Sequence, residues 1–92
     1  MQLEWNKAKN AANIRNHRID FADVPPIFNS PMFIELDDRQ DYGEDRRVGI
    51  GILRNLVVVV VFTEPRQDTI RIISARKANK YERKRYEQAL AN

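Results

Sequence analysis

A run of seven apolar residues, 56–62, constrains the fold of this 92-residue chain more than any other feature. Most of its side chains are β-branched valines, which favour extended backbone. A strand that is apolar at every position must be covered on both faces or nearly so. We therefore expect this run to be the central strand of a sheet, and it is far too short to span a membrane as a helix.

Three further strands are expected beside the central one. Alternating apolar side chains mark two of them, and β-branched residues mark the third. Short connections, including a tight turn at Arg54 and Asn55, favour antiparallel pairing of neighbours. The predicted sheet is an antiparallel meander of residues 32–36, 48–54, 56–63 and 69–75, with residues 2–5 as a possible short edge strand.

The second strand has two unlike faces. Branched side chains alternate with Arg47, two glycines and a leucine, and this pattern separates them across the strand. We expect the branched face to pack against helices and the glycine face to stay open for an extended ligand. The branched residues are Val48, Ile50 and Ile52, and the glycines are Gly49 and Gly51.

Helices are expected at both ends of the chain. Asn6 can cap a helix that ends near residue 16 or 17, whose small alanines would let it lie close to a sheet. Asp20 can cap a second stretch over residues 21–28, which two prolines should make short or kinked. Asn79 and Glu82 form a capping box before a last helix over residues 79–91. The expected fold is a single α+β domain over residues 1–92, in two layers.

Charge is distributed unevenly along the chain. The net charge is +3, but residues 35–45 carry six acidic side chains against one basic, whereas residues 66–85 carry eight basic against two acidic. A basic segment of this size is typical of a polyanion-binding surface. The chain has no cysteine and one histidine, so we expect no disulfide, no metal and no cofactor. No signal-peptide pattern precedes the domain, which favours a cytoplasmic protein.

Residue patterns in three parts of the chain resemble the BrnT family of bacterial type II toxins. The C-terminal part is Arg71-Ile72-Ile73-Ser74-Ala75-Arg76-Lys77-Ala78 followed by Glu82-Arg83 and Tyr86; the N-terminal part is Glu4-Trp5-Asn6, Lys9, Ala12-Asn13, His17, Ile19 and Phe21; the middle is Arg46-Arg47 with Gly49. The resemblance implies a RelE-like ribonuclease that is held inactive by a BrnA-type antitoxin. Such antitoxins bind the toxin through one part and operator DNA through a ribbon-helix-helix part.

Arginines are the main candidates for chemistry on RNA, because guanidinium groups match phosphate oxygens and can stabilise charge without a metal. A regular strand cannot place Arg71 and Arg76 on one face, and Arg76 at the strand-to-helix corner is favoured. The alternative is that each arginine forms an ordinary surface ion pair with the acidic loop. The predicted catalytic residues are Arg66, Arg76, His17 and Arg47, and the predicted RNA-binding residues are Arg46, Arg71, Lys77 and Lys80.

His17 has an ordinary pKa suited to proton transfer, but it also stands at an expected helix end, where it could simply bind carbonyl groups. Arg18 follows it in place of the family's glycine, so a left-handed cap is not expected. The further acid or base candidates are Glu44, Asp45, Tyr81 and Tyr86. For the two tyrosines a core position is favoured, since both can line the face of the last helix that meets the sheet.

Two classes of function stay open from the sequence. One is a metal-independent endoribonuclease toxin that inhibits translation, and the other is a non-catalytic module that binds nucleic acid or a protein. A DNA-binding antitoxin is disfavoured because no recognition helix or ribbon-helix-helix pattern is present.

Overall fold

The apolar run lies in the middle strand of a five-stranded sheet in the computed structural model, which describes residues 1–39, 41 and 43–91. The elements, in chain order, are β1 (Gln2–Trp5), α1 (Lys7–His17), two 3₁₀ helices (Phe21–Asp23 and Pro25–Asn29), β2 (Phe33–Asp37), β3 (Arg46–Leu53), β4 (Leu56–Arg66), β5 (Thr69–Lys77) and α2 (Lys80–Leu90). Gln40 and Tyr42 of the predicted acidic loop lie outside the described residues.

The strand order is β1-β5-β4-β3-β2, with β1 parallel to β5 and every other pair antiparallel. The α+β class, the four-strand meander and the possible edge strand at residues 2–5 are confirmed. The expected antiparallel four-stranded sheet is wrong in number and type, because the edge strand is the fifth and its parallel pairing makes the sheet mixed. The β3–β4 turn uses positive φ at Arg54 and Asn55, the backbone of a tight hairpin.

Helices cover both faces of the sheet, so the expected two-layer arrangement is also wrong. On the first face, Val58, Val60 and Phe62 of β4 form the main core with the 3₁₀ segment. On the second face, Val59 and Ile50 pack against Ala78, just before α2, and against Tyr86 of α2. The apolar run needs no alternation because both sides of β4 are buried at this level.

The glycine face of β3 is closed, which overturns the expected open surface. A Cβ on Gly51 would lie 2.8 Å from Ile27 Cγ1, and one on Gly49 would lie 2.7 Å from Met32 Cε. The second 3₁₀ helix and the residues after it therefore fit against the strand only because these side chains are absent. The other face is open beside α2, where a depression is lined by Val59 and Val61 of β4 and by Glu82 and Arg85 of α2.

The helix ends match most of the sequence expectations. Asn6 accepts from the Lys9 backbone N–H at 3.0 Å, and Asn79 and Glu82 form both bonds of the capping box. The prolines convert the second helical stretch into the two short 3₁₀ helices. Arg18 adopts φ 61° and donates its N–H to Ile14, so the left-handed cap forms without glycine, contrary to expectation.

Asn13, and not an alanine stripe, is the buried residue of α1. Its side chain accepts from the Ala75 N–H at 3.1 Å and donates to the Ala75 and Ile19 carbonyl groups at 2.9 Å each. An amide side chain thus takes the place of a neighbouring strand on β5 beyond the point where β1 ends. Ala8 and Ala11 are exposed.

Candidate functional site

Four arginines of three strands lie on the second face of the sheet. A β-bulge skips Ile73 in the β4–β5 register, so Arg76 is opposite Val59 while Arg71 is opposite Thr63. Val59 and Thr63 are four residues apart on β4 and share a face, and cross-strand partners point the same way. The bulge therefore aligns two arginines that a regular strand would separate. The set, called the arginine face here, is Arg46, Arg66, Arg71 and Arg76.

Glu4 of β1 joins two members of the arginine face. Its carboxylate accepts from Arg66 Nη2 and, at 2.8 Å, from Arg71 Nε. The hydrogen bond from Arg71, with a further contribution from Arg66, holds the pKa of Glu4 below its ordinary value. A guanidinium has five donors, so Arg71 can hold this carboxylate and a second acceptor together.

Arg76 forms a two-pronged ion pair with Glu82, with Nη1 and Nη2 each 2.8 Å from a carboxylate oxygen. This bond is the main reason that the pKa of Glu82 is lowered and the pKa of Arg76 is raised. The Glu82 oxygen that accepts from Arg76 Nη1 also accepts from the Asn79 backbone N–H. Arg76 is thereby fixed at the corner between β5 and α2.

Two open depressions on the surface are lined in part by the arginine face. The first, of about 380 Å³, has cations from β3, β5 and α1 together with acidic groups: Arg46, Arg71, Lys9, Glu4 and Glu44. The second, of about 280 Å³, has an apolar floor from β3 and β4 and a charged rim: Val48, Ile50, Val59 and Val61 below Arg39, Arg76, Arg85, Glu35 and Glu82. The apolar floor lowers the local dielectric, which strengthens the interactions of charges at the rim.

The other predicted site residues are placed elsewhere. Arg47 is opposite Phe62, on the first face, and pairs with Glu64 at 3.5 Å. His17 is exposed at the end of α1, in the segment that covers the β5 edge. Lys77 is exposed at the end of β5, and Lys80 lines a shallow outer depression of α2. The structure does not bring these four side chains together with Arg76.

The two tyrosines of α2 have opposite environments. Tyr86 is 6% exposed and donates its hydroxyl to the Pro31 carbonyl at 2.8 Å, and burial raises its pKa. Tyr86 therefore has the core position expected for it. Tyr81 is 70% exposed, so the same expectation is wrong for this residue. Glu44 and Asp45 are exposed, and both line a further depression beside Arg47.

Sequence reasoning missed the carboxylates of the site. The alternative that each arginine pairs with the acidic loop is wrong for Arg66 and Arg76, whose partners are Glu4 and Glu82. Glu4 lies beside the arginines because β1 pairs in parallel with β5. A strand of four residues is too short for its alternation pattern to reveal that pairing. Glu82 was recognised as a cap, but its second bond requires the strand-to-helix geometry.

Within the described residues, no group of three or more histidine, cysteine or acidic side chains is arranged to hold a metal ion. The same part of the chain contains no helix of the length and apolarity needed to cross a membrane.

Comparison with known proteins decides the family. The profile described as "Ribonuclease toxin, BrnT, of type II toxin-antitoxin system" matches residues 5–82. The chain belongs to the BrnT family. This BrnT-family chain is therefore a ribonuclease toxin of a type II toxin-antitoxin system, a class that implies an RNA target and an antitoxin partner.

The fold of this BrnT-family chain is similar to a solved structure, "1.1 Angstrom-resolution crystal structure of the Brucella abortus ribonuclease toxin, BrnT". The TM-score is 0.69 at 27% sequence identity, and the match covers 87% of this chain and 99% of the other. A search of curated proteins found no match. The resemblance noted in the sequence is thus confirmed at the level of family and fold.

Proposed function

We propose that the arginine face binds the RNA backbone and that the chain cleaves RNA there without a metal ion. The observation that supports this proposal is the alignment of Arg71 and Arg76 on one open face by the Ile73 bulge. Four guanidinium groups on one surface can contact successive phosphates and stabilise charge that develops on one of them.

Arg76 is the proposed stabiliser of the transition state. Its guanidinium is oriented by two bonds to Glu82, and such fixed donors need little reorganisation during the reaction. The RNA backbone is positioned beside Arg76 by the other members of the arginine face, Arg66, Arg71 and Arg46. In this mechanism a general base takes the proton from the 2′-hydroxyl, and the 2′-oxygen attacks the adjacent phosphorus. The bond from phosphorus to the 5′-oxygen of the next nucleotide breaks, and an acid protonates that oxygen, which leaves one cyclic phosphate end and one 5′-hydroxyl end.

Two residues are proposed as the proton-transfer group. His17 keeps this role as a prediction, and Glu44 is a second candidate because it lines the depression that also contains Arg46 and Arg71. Arg47, Lys77 and Lys80 are proposed to contact RNA outside the reacting centre, because Arg47 is on the first face and the two lysines are exposed where β5 ends and α2 begins.

The test is incubation of the purified protein with a defined RNA in EDTA, followed by analysis of the fragment ends. Cyclic phosphate ends are expected, and Arg76→Ala should lower the cleavage rate by about 10² to 10³. Arg15→Ala is the matched control, because Arg15 is an exposed arginine of α1. RNA that is bound but never cut would identify a non-catalytic binding module instead. Cleavage that stops in EDTA and returns with a divalent ion would contradict metal independence.

The proposed inhibitor is a BrnA-type antitoxin with a ribbon-helix-helix part. Its acidic helical segment would cover the arginine face and α2. This contact would block RNA binding and would also stabilise the folded toxin. Operator DNA would be bound only through the antitoxin in the complex. The complex should be inactive on RNA and should protect residues 66–85 from hydrogen exchange. Unchanged exchange with unchanged cleavage would place the inhibited site elsewhere. The cytoplasmic location stays a prediction.

A further inference from the structure

An aromatic ring and a fixed guanidinium stand beside the second depression of the arginine face. Tyr81 is 70% exposed on the first turn of α2. The Arg85 guanidinium carbon is 6.0 Å from the Tyr81 ring centroid and 4.9 Å from that of Phe33. Both Glu35 oxygens accept from Arg85, at 2.9 and 3.1 Å, so the guanidinium is held in a defined orientation.

The Tyr81 ring contributes little to the core. Tyr86, one turn and a half later on the same helix, is almost fully buried with its hydroxyl bonded, whereas Tyr81 leaves most of its side chain in solvent. An isolated exposed aromatic is ordinary by itself. The position of Tyr81 is unusual, because the next residue, Glu82, binds Arg76. Glu82, Arg76 and Arg85 all line the second depression.

We propose that Tyr81 and Arg85 form a stacking platform for an unpaired base of the RNA strand whose phosphate lies at Arg76. Unstacked bases bind aromatic rings and arginine planes, and the aromatic contact tolerates every base because each has a π-face. The inference rests on the proposed function and deepens it. It makes single-stranded RNA the substrate class and assigns Tyr81 a role in substrate selection.

The test measures binding of a fully 2′-O-methylated RNA oligonucleotide, which cannot be cleaved, across a salt series. Tyr81→Leu keeps apolar bulk but removes the π-face, and it should weaken binding of the single strand about ten-fold, or about 1.4 kcal/mol. The slope of affinity against salt should not change, because no charge is removed. Tyr81→Phe should bind as the wild type does.

A duplex of the same sequence provides the second measurement. Its bases are already stacked, so Tyr81→Leu should leave duplex affinity unchanged. Lys84→Ala is the matched control on the exposed surface of α2, and it should reduce the salt slope with no preference between single strand and duplex. Circular dichroism checks that each variant keeps its helix content.

Two results would overturn the platform. They are an unchanged single-strand affinity in Tyr81→Leu and an equal loss for single strand and duplex. Failure of the proposed function is distinguishable from both: Arg76→Ala would then cleave RNA as fast as the wild type, while the base-dependent loss in Tyr81→Leu would still show stacking.

Discussion

Replacement of Asn13 by alanine should destabilise this protein more than any other polar substitution in α1. The Asn13 amide makes three bonds, of 2.9, 2.9 and 3.1 Å, to buried backbone groups of Ile19 and Ala75. Without it, two carbonyls and one N–H lose their partner, and each such loss costs about 1 to 3 kcal/mol. Water that enters the space and the better helix propensity of alanine, about 0.5 kcal/mol, offset part of this cost.

The net loss should be about 2 to 4 kcal/mol, a large part of the total for a domain of this size, which is about 5 to 14 kcal/mol. The melting temperature should fall by about 10 °C or more. Urea unfolding of Asn13→Ala and Asn16→Ala measures the difference directly. Asn16 is exposed on the same helix, so the same chemical change there should be neutral or slightly stabilising.

A free energy of unfolding that is less than about 1 kcal/mol lower in Asn13→Ala than in Asn16→Ala would show that the Asn13 hydrogen bonds do not stabilise the fold. Hydrogen exchange gives a second measurement. The Ala75 amide should exchange faster in Asn13→Ala, while amides of the β3–β4 pair should change only with global stability.

Three further outcomes are expected. Gly51→Ala should cost about 1 to 3 kcal/mol, since the new methyl group would lie 2.8 Å from Ile27 Cγ1 and 3.1 Å from Ser30 Oγ; unchanged urea unfolding would contradict this packing. The pKa of Glu82 is depressed in the folded state by Arg76, so its contribution to stability is present above the ordinary value of 4.5 and is lost as the pH falls through the depressed pKa. Melting temperatures between about pH 6 and pH 3 should therefore fall less in Glu82→Gln than in the wild type. His17→Gln should abolish RNA cleavage at unchanged melting temperature if His17 transfers a proton; retained cleavage with a lower melting temperature would assign it to the helix end.

The features that local chemistry determines could be predicted from the sequence. The capping box at Asn79 and Glu82, the Asn6 cap and the broken helix at the prolines depend on residues within a few positions of one another. The central strand was also predictable, because a run that is apolar at every position has few alternatives in a small domain.

The features that depend on distant pairing could not be predicted in the same way. Gly49 and Gly51 looked open because β3 alone does not show which segment packs above it. Arg71 and Arg76 were expected on opposite faces because alternation assumes a regular strand. No residue type near Ile73 indicates the bulge. The role of Asn13 was not predicted, because its partner Ala75 is 62 residues away in the chain.

Glu82 has a consequence for how mutations in this site should be counted. One of its oxygens accepts from both Asn79 of the helix cap and Arg76 of the arginine face. Changes at Asn79 and Arg76 should therefore be non-additive in a double-mutant cycle, because the Asn79 side chain accepts from the Glu82 backbone N–H and Arg76 binds the Glu82 carboxylate. A substitution that relaxes the first turn of α2 alters the guanidinium as well. Selection on the proposed cleavage site and selection on the start of the last helix thus act on a single carboxylate.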